Sequence, residues 1–180
     1  LDAALVDDRY YLAVALRFDA MVTAALGDVE RGWRLAARGL SAAADLGDAA
    51  SIGQAEVAVA VVSHQLDDGE TAREHALAAI EATLGPFDSF TQRAAPVLIA
   101  GHCVDTGAAE TAAIALGWYF DYLDRTGQPP AVATAALAAE CERRARDTLG
   151  RATFARLAAD GAALRLRQLF DVLRTVATAM

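Results

Sequence analysis

Three histidines are the first residues to consider for catalysis or metal binding, because imidazole is a common metal ligand and proton acceptor near neutral pH. They are His64, His75 and His102, one in each of three predicted helices. No two have the i, i+4 spacing that places a pair of zinc ligands on one helical face. His102 and Cys103 are neighbours, so on a helix they point in different directions and do not both reach one metal ion. We expect neither a metal site nor a catalytic histidine.

Carboxylates are more numerous, but they collect where helices are predicted to begin. Five lie in or beside short turns: Asp28, Asp48, Asp67, Asp68 and Glu70. A carboxylate at such a position accepts hydrogen bonds from open backbone N–H groups and faces the positive end of the helix dipole. Asp121 and Asp124 stand beside Arg125 on one helix and fit a solvated surface better than an acid–base pair. Helix capping is therefore our interpretation of these acids.

All sixteen basic residues are arginine, and the absence of lysine removes two kinds of chemistry from this sequence. A P-loop needs its lysine to reach the terminal phosphates of a nucleotide. Schiff-base catalysis needs a side-chain amine. We predict that the chain is not an enzyme, that it has no catalytic, cofactor-binding or metal-binding residues, and that it needs no cofactor.

The densest aromatic segment is Trp118-Tyr119-Phe120 followed by Tyr122. Four aromatic residues so close together cannot all face inward on one helix. If Phe120 is in the core with Leu116, Trp118 and Tyr122 share a neighbouring face. That pair is either a ledge for a binding partner or the contact with the next helix.

Charge is distributed unevenly along the chain. Residues 1–142 contain eight arginines and twenty-one acids, a net charge of −13, whereas residues 143–180 contain eight arginines and three acids, a net charge of +5. The basic segment either pairs with acids of the same protein or contacts a partner. Direct binding of nucleic acid is the less favoured reading. The candidate partner-binding residues are Trp118, Tyr122, Arg143, Arg146, Arg167 and Arg174.

These residues must be positioned by helices, because the sequence repeats helix-length segments about every forty residues. Short Gly/Asp turns at Leu26–Asp28, Leu66–Gly69 and Val104–Gly107 separate alanine-rich amphipathic runs. The pattern predicts an all-α, tetratricopeptide-like array of three to four antiparallel helical hairpins with a C-terminal capping helix. The predicted hairpins are 1–46, 47–86, 87–127 and 128–180, the last including the basic capping helix, and together they form one domain.

Periodicity also predicts helix limits. We expect a first helix over about 9–26 and a second over 29–46, and Gly85-Pro86 should end the fourth. The fifth begins either at Ser89, with a kink at Pro96, or near Ala94. Later helices are expected at 108–125, from Pro129-Pro130 to 149, at 151–159 and at 162–177.

The same periodicity predicts which residues are buried. In the first two helices they are Tyr11, Val14, Ala15, Phe18, Val22, Ala25, Trp33, Ala37, Leu40 and Ala44. In the third, fourth and last they are Ile52, Ala55, Val59, Val62, Leu66, Leu77, Ile80, Leu84, Leu166, Leu169, Phe170, Leu173 and Val176.

Localisation follows from absent signals. Acidic residues such as Asp2 and Asp7 stand where a secretion signal would be basic, and no uncharged stretch is long enough to cross a bilayer. Cys103 and Cys141 form no CxxC pair and read as buried thiols, with a single disulfide as the alternative. We expect a cytoplasmic protein, with no membrane contact, that is a fragment of a larger one.

Three segments resemble a known family. Gly107–Gly117 resembles the helix opening G-x-x-x-x-A-A-x-L-x-G of large actinobacterial signalling ATPases, and Thr126–Pro130 resembles the turn that follows it there. Leu149–Phe154 with Gly161 resembles their closing L-G-x-x-x-F…G element. The family includes LuxR-type regulators, antibiotic-regulatory proteins and fusions with nucleotide-cyclase domains, each with a C-terminal tetratricopeptide-like region.

The resemblance implies a sensing or protein-docking arm, with ATPase, DNA-binding or cyclase domains lying elsewhere in the parent protein. The expected function is thus a non-catalytic interaction module that binds a protein or other domains of its own chain, with a homodimer as a further possibility. The alternative is a sensor for a peptide or small molecule, with a pocket inside the stack near Trp118, Tyr122 and Cys103.

Overall fold

A computed structural model describes residues 3–85 and 88–176, and the side chains of 8–85 and 88–175. This part of the chain is all α-helical, as predicted, with nine helices and no strand. The helices are α1 (Ala3–Ala25), α2 (Val29–Leu46), α3 (Ala49–Gln65), α4 (Gly69–Ala82), α5 (Ser89–Asp105), α6 (Ala109–Thr126), α7 (Ala135–Leu149), α8 (Arg151–Ala162) and α9 (Leu166–Val176).

The backbone repeats with a period of forty residues over the first three hairpin turns. Gly27, Asp67 and Gly107 lie forty apart, and their φ angles are 100°, 59° and 84°. The residue after each turn precedes the next helix. Asp28 and Asp68 there accept hydrogen bonds from the backbone N–H groups of Arg31 and Thr71. A left-handed residue followed by a capping carboxylate stops one helix and starts the next within three residues.

Several helix limits differ from the predicted ones. Helix α1 begins at Ala3, six residues before the predicted start. Helix α7 begins at Ala135, because residues 131–134 form a turn closed by the bond from Thr134 N to Ala131 O (3.0 Å). Helix α5 begins at Ser89 with Pro96 inside it, and Asp88 accepts from Thr91 N at 2.7 Å. Ala162 ends α8, and α9 starts at Leu166. Pro86 and Ala177 lie outside the described residues.

The first compact unit extends to Thr91 and is centred on α3. Helix α3 contacts α1, α2 and α4, and every residue from Val57 to Ser63 is buried. The predicted stripe of α3 is confirmed for Ala55, Val59 and Val62, which pack against α1 and α2. Leu66, at the end of that stripe, is 42% exposed.

Small residues line the contact between α1 and α2. Ala13, Leu16, Ala20 and Ala24 are the buried apolar residues of α1. The facing positions of α2 are Gly32, Ala36, Gly39 and Ala43, and forty residues later α4 buries Ala72, Ala76, Ala79 and Thr83. A Cβ added at Gly32 would lie 2.8 Å from the Cβ of Ala24, so only the smallest residue permits this approach of the two helices.

The predicted buried faces of α1 and α2 are therefore largely wrong. Tyr11, Phe18 and Val22 are 66%, 50% and 55% exposed, and Trp33 is 42% exposed. Ala15, Ala25 and Ala44 are exposed as well, whereas Val14, Ala37 and Leu40 are half-buried. The reason is steric: the helices approach through their alanine and glycine faces, and the large apolar side chains are turned away from the contact.

The second compact unit begins at Gln92 and is organised around α6, which contacts α7, α8 and α9. Helices α6 and α8 meet backbone to backbone. A Cβ at Gly117 would overlap the backbone of Ala158, and one at Gly161 would overlap that of Ile114. On α9 the predicted apolar face is confirmed for Leu169, Phe170 and Leu173, which are all buried.

Candidate functional site

The aromatic pair singled out in the sequence is buried. Trp118 and Tyr122 are 3% and 2% exposed, and their rings stack with centroids 5.2 Å apart. Tyr119 is fully buried and Phe120 is 36% exposed, so the expectation that Phe120 belongs to the core is wrong. At 100° per residue, Trp118, Tyr119 and Tyr122 fall within one arc of α6, and Phe120 falls outside it. The buried rings favour packing over a partner-binding ledge.

Half of the arginines in the basic segment pair with acids nearby. Arg143 bonds to Glu140 and Asp147 at 2.6 and 2.9 Å, and Arg146 bonds to Glu142 at 2.6 Å. Arg144 pairs with Asp105 of α5, and Arg156 with Asp160 of its own helix. Exposed pairs of this kind are screened by solvent and contribute little to stability. Pairing within the protein is thus observed for four of the eight.

The other four, Arg151, Arg165, Arg167 and Arg174, have no ion pair within the described residues. Arg167 and Arg174 are exposed, and the guanidinium of Arg174 lies 5.9 Å from the centroid of the Phe170 ring. Trp118 and Tyr122 are buried, and the partner-binding role of the six candidate residues stays a prediction.

The histidines and cysteines form no metal site. Among the described residues, no group of three or more His, Cys, Asp or Glu side chains is arranged to hold a metal ion. His75 Nδ1 on α4 hydrogen-bonds Glu56 on α3, and His102 is buried. Cys103 and Cys141 are both buried and no disulfide joins them, so the disulfide alternative is not observed. Burial raises the pKa of the Cys141 thiol to about 12, although nearby Arg144 lowers it.

No helix in the described part of the chain combines the length and the apolar character that a membrane crossing requires.

An exposed surface on α1 is mostly apolar, with Asp19 as its one charged residue. We call Leu12, Ala15, Asp19 and Val22 the outer face of α1; all four are exposed, Leu12 and Val22 by 51% and 55%. Their spacing of three, four and three residues places them on one side of the helix. The exposed rings of Tyr11 and Phe18 flank this side. The exposed apolar side chains on this side of α1 thus form a cluster. Isolated exposed apolar residues are normal on a protein surface, but a cluster indicates an interaction site.

The forty-residue repeat shows what such a face does elsewhere in the chain. The residues equivalent to the outer face are Ile52, Ala55, Val59 and Val62 on α3, and Gln92, Ala95, Ile99 and His102 on α5. On α3 three of them are buried and Ile52 is half-buried, and on α5 all four are buried. The α3 set packs against the hairpin formed by α1 and α2. The outer face of α1 occupies the equivalent position in the repeat. Among the described residues, no hairpin packs against it.

A buried polar cluster occupies a different side of α1. Arg17 is only 8% exposed, and its guanidinium carbon lies 4.6 Å from the ring centroid of Phe18 and 5.2 Å from that of Phe90. Arg17 Nη1 donates to Gln54 Oε1 on α3, and Gln54 Nε2 donates to Asp88 Oδ1 at 2.7 Å. Burial lowers the pKa of Arg17, while the charge of Asp88 raises it.

One atom of this cluster is unsatisfied. Arg17 Nε is buried and has no hydrogen-bond partner within residues 3–85 and 88–176. Arg17 is also one of the residues that line a small cavity of about 10 Å³, together with Ala13, Val14, Ser51, Gln54 and Ala55. That volume has room for roughly one water molecule or one ligand oxygen atom.

This cluster was not predicted, because a single arginine among other charged residues of a helix carries no local signal of burial. The repeat contains the signal that would have revealed it. Forty and eighty residues after Arg17 stand Val57 and Val97, both fully buried, so a charged residue occupies a position that is apolar in the other two hairpins.

No protein-family model matches this chain, nor does any curated protein or solved structure.

Proposed function

We propose that this chain is a non-catalytic, tetratricopeptide-like interaction module of a larger signalling ATPase or transcription regulator in the cytoplasm. The observation behind the proposal is the exposed outer face of α1. Its equivalents on α3 pack against a helical hairpin, and the outer face repeats their spacing and most of their apolar character.

The proposed occupant of the outer face is an alanine-rich helical hairpin belonging to another domain of the parent protein or to a partner protein. On α3, the side chains that cover the equivalent residues are Leu16, Ala20, Leu35, Ala36 and Ala43. The alanines among these side chains let the hairpin approach α1 closely. Leu12 and Val22 would then lose their exposed area to the contact. Docking of this hairpin would couple the module to the activity of the parent protein.

The experiment uses the parent protein with Leu12→Glu and Val22→Glu combined. We expect its ATPase activity or its transcriptional output to change as it does when the whole module is deleted. Two carboxylates added to that of Asp19 leave Ala15 as the one apolar residue of the outer face, and an apolar hairpin then no longer docks. Val132→Glu is the matched control, since Val132 is 97% exposed and lies outside the first unit.

If both outputs remain at the wild-type level in the double variant while the deletion changes them, the outer face is not the docking surface. If the isolated chain forms a dimer that the double variant abolishes, a second copy occupies the face instead. The alternative of a ligand pocket near Trp118, Tyr122 and Cys103 remains a prediction, and the stacked, buried rings lend it no support.

A further inference from the structure

We infer that the cavity between α1 and α3 at Arg17 is a binding site for a carboxylate group. Arg17 is more than nine-tenths buried, and its Nε is unpartnered in the part of the chain that the structure describes. The cavity that Arg17 lines also contains Ser51, in the first turn of α3. A buried cation and the positive end of a helix dipole therefore meet at the same opening.

The charge of the guanidinium is neutralised only indirectly. Its Nη1 bonds to a neutral amide, that of Gln54, and the amide in turn bonds to Asp88. Asp88 also accepts from Thr91 N, and Asp48 accepts from Ser51 N at 2.8 Å, so both carboxylates have donors of their own. Leaving a buried charged donor without an acceptor is costly, and a ligand carboxylate would supply a charge-assisted hydrogen bond to Nε.

The size and charge of the site select the ligand class. The cavity admits roughly one oxygen atom, which suits one arm of a carboxylate. A phosphate brings up to two negative charges and three oxygens toward a site that already contains Asp48 and Asp88 nearby. The exposed ring of Phe18, under the same guanidinium, offers an apolar surface to the rest of the ligand.

This site is distinct from the proposed docking surface. Arg17 follows Leu12 by five residues, so it lies about 140° around α1 from that residue. Phe18 borders both sites, so the variants that test them are placed elsewhere: at Leu12 and Val22 for the outer face, and at Arg17 and Ser51 for the carboxylate site.

The first test is thermal unfolding of the full chain with sodium acetate as the probe. Acetate is titrated to roughly 100 mM against chloride at equal ionic strength, because one contact of this kind gives dissociation constants in the millimolar range. We expect the Tm to rise by about 3 °C at ten times the dissociation constant. Arg17→Met should abolish the rise, whereas Arg34→Met, at an arginine whose side chain is 64% exposed, should leave it unchanged.

Two variants at Ser51 test the inference even if Arg17→Met does not fold. Ser51→Glu places a carboxylate inside the cavity, so we expect a higher Tm than in the neutral Ser51→Gln variant and no further response to acetate. Equal Tm values for the two variants, or equal acetate responses in wild type and Arg17→Met, would overturn the inference. So would the absence of any acetate response in the wild type, because a resident water would then be enough for Nε.

A second pair of probes distinguishes the carboxylate of a peptide or protein from that of a free small acid. N-acetyl-dialanine with a free carboxylate is compared with its C-terminal amide. If the acid binds more tightly than acetate and the amide does not bind, the site takes the carboxylate of a peptide or protein. If acetate binds as well as the dipeptide acid, the site takes a free small acid. Both results support a carboxylate site, and stabilisation by the amide contradicts it.

Discussion

The reactivity of the Cys141 thiol depends on how tightly the second unit is packed. The residue is fully buried, and burial raises the pKa of its thiol to about 12. The thiolate is the reactive form of cysteine, so very little of it exists near pH 8. We therefore predict that Cys141 reacts with a disulfide reagent at least ten times more slowly in the folded protein than in urea. Fast labelling of Cys141 in a Cys103→Ala background would contradict this.

Gly117 shows how closely α6 and α8 approach. Because a Cβ there would overlap the backbone of Ala158, we predict that Gly117→Ala costs about 2 kcal/mol of unfolding free energy. Gly85→Ala is the control, since a Cβ at Gly85 meets nothing within 4 Å, and its effect should stay within about 0.5 kcal/mol. Urea unfolding followed by circular dichroism measures both. Equal effects would mean that the two helices can separate at little cost.

Individual residues were harder to predict than the pattern they belong to. The capping role of Asp28, Asp48 and Asp68 was predicted correctly, because an N-cap depends on local backbone geometry and a side-chain oxygen. The burial of Arg17 was not, since it depends on Gln54 and Asp88, which are 37 and 71 residues away in the sequence. Contacts over such distances leave no local periodicity.

At the scale of a helix, the capping carboxylates make stability depend on pH. Hydrogen bonds from Ser51 and Thr71 lower the pKa values of Asp48 and Asp68. A lowered pKa in the folded state means that the contribution is complete above the unfolded pKa and is lost as pH falls through the folded pKa.

We therefore predict that the unfolding free energy declines between roughly pH 5 and pH 2, and that Asp48→Asn with Asp68→Asn declines less steeply. Asparagine still caps a helix but does not titrate in this range. Urea unfolding across this range provides the measurement, and parallel curves for wild type and double variant would exclude the two caps as a cause.

Asp48→Ala, which removes the cap, should cost about 1 kcal/mol of unfolding free energy at neutral pH.

Helix existence was predictable, and the buried side of α1 and α2 was not. Large apolar residues at helical spacing predicted a buried face that contains Tyr11, Phe18, Val22 and Trp33. All four are exposed. The contact between these helices is made instead by alanine and glycine, whose burial yields little hydrophobic free energy per residue but permits a short distance between helix axes. Single-helix periodicity cannot tell which of two apolar sides meets the neighbour.

For the whole molecule, the repeat provides a matched pair of valines. Val22 is 55% exposed, and Val62, forty residues later, is fully buried against the first hairpin. We predict that Val22→Glu changes the unfolding free energy by at most about 0.5 kcal/mol, whereas Val62→Glu costs about 4 kcal/mol because it buries an unpaired charge. Thermal unfolding of both variants is the measurement. Comparable losses would mean that Val22 is covered within the isolated chain.

The constant spacing of Gly27, Asp67 and Gly107 has a consequence for how such a chain grows or shrinks. A tandem copy of residues 29–68 brings its own turn and cap, and it presents the alanine and glycine side of a new α2 to the helix before it. One extra residue in that copy would rotate every later side chain by about 100° and point apolar groups into water. We therefore expect the fold to accept the duplication of a whole forty-residue unit more readily than the insertion of one residue inside a helix.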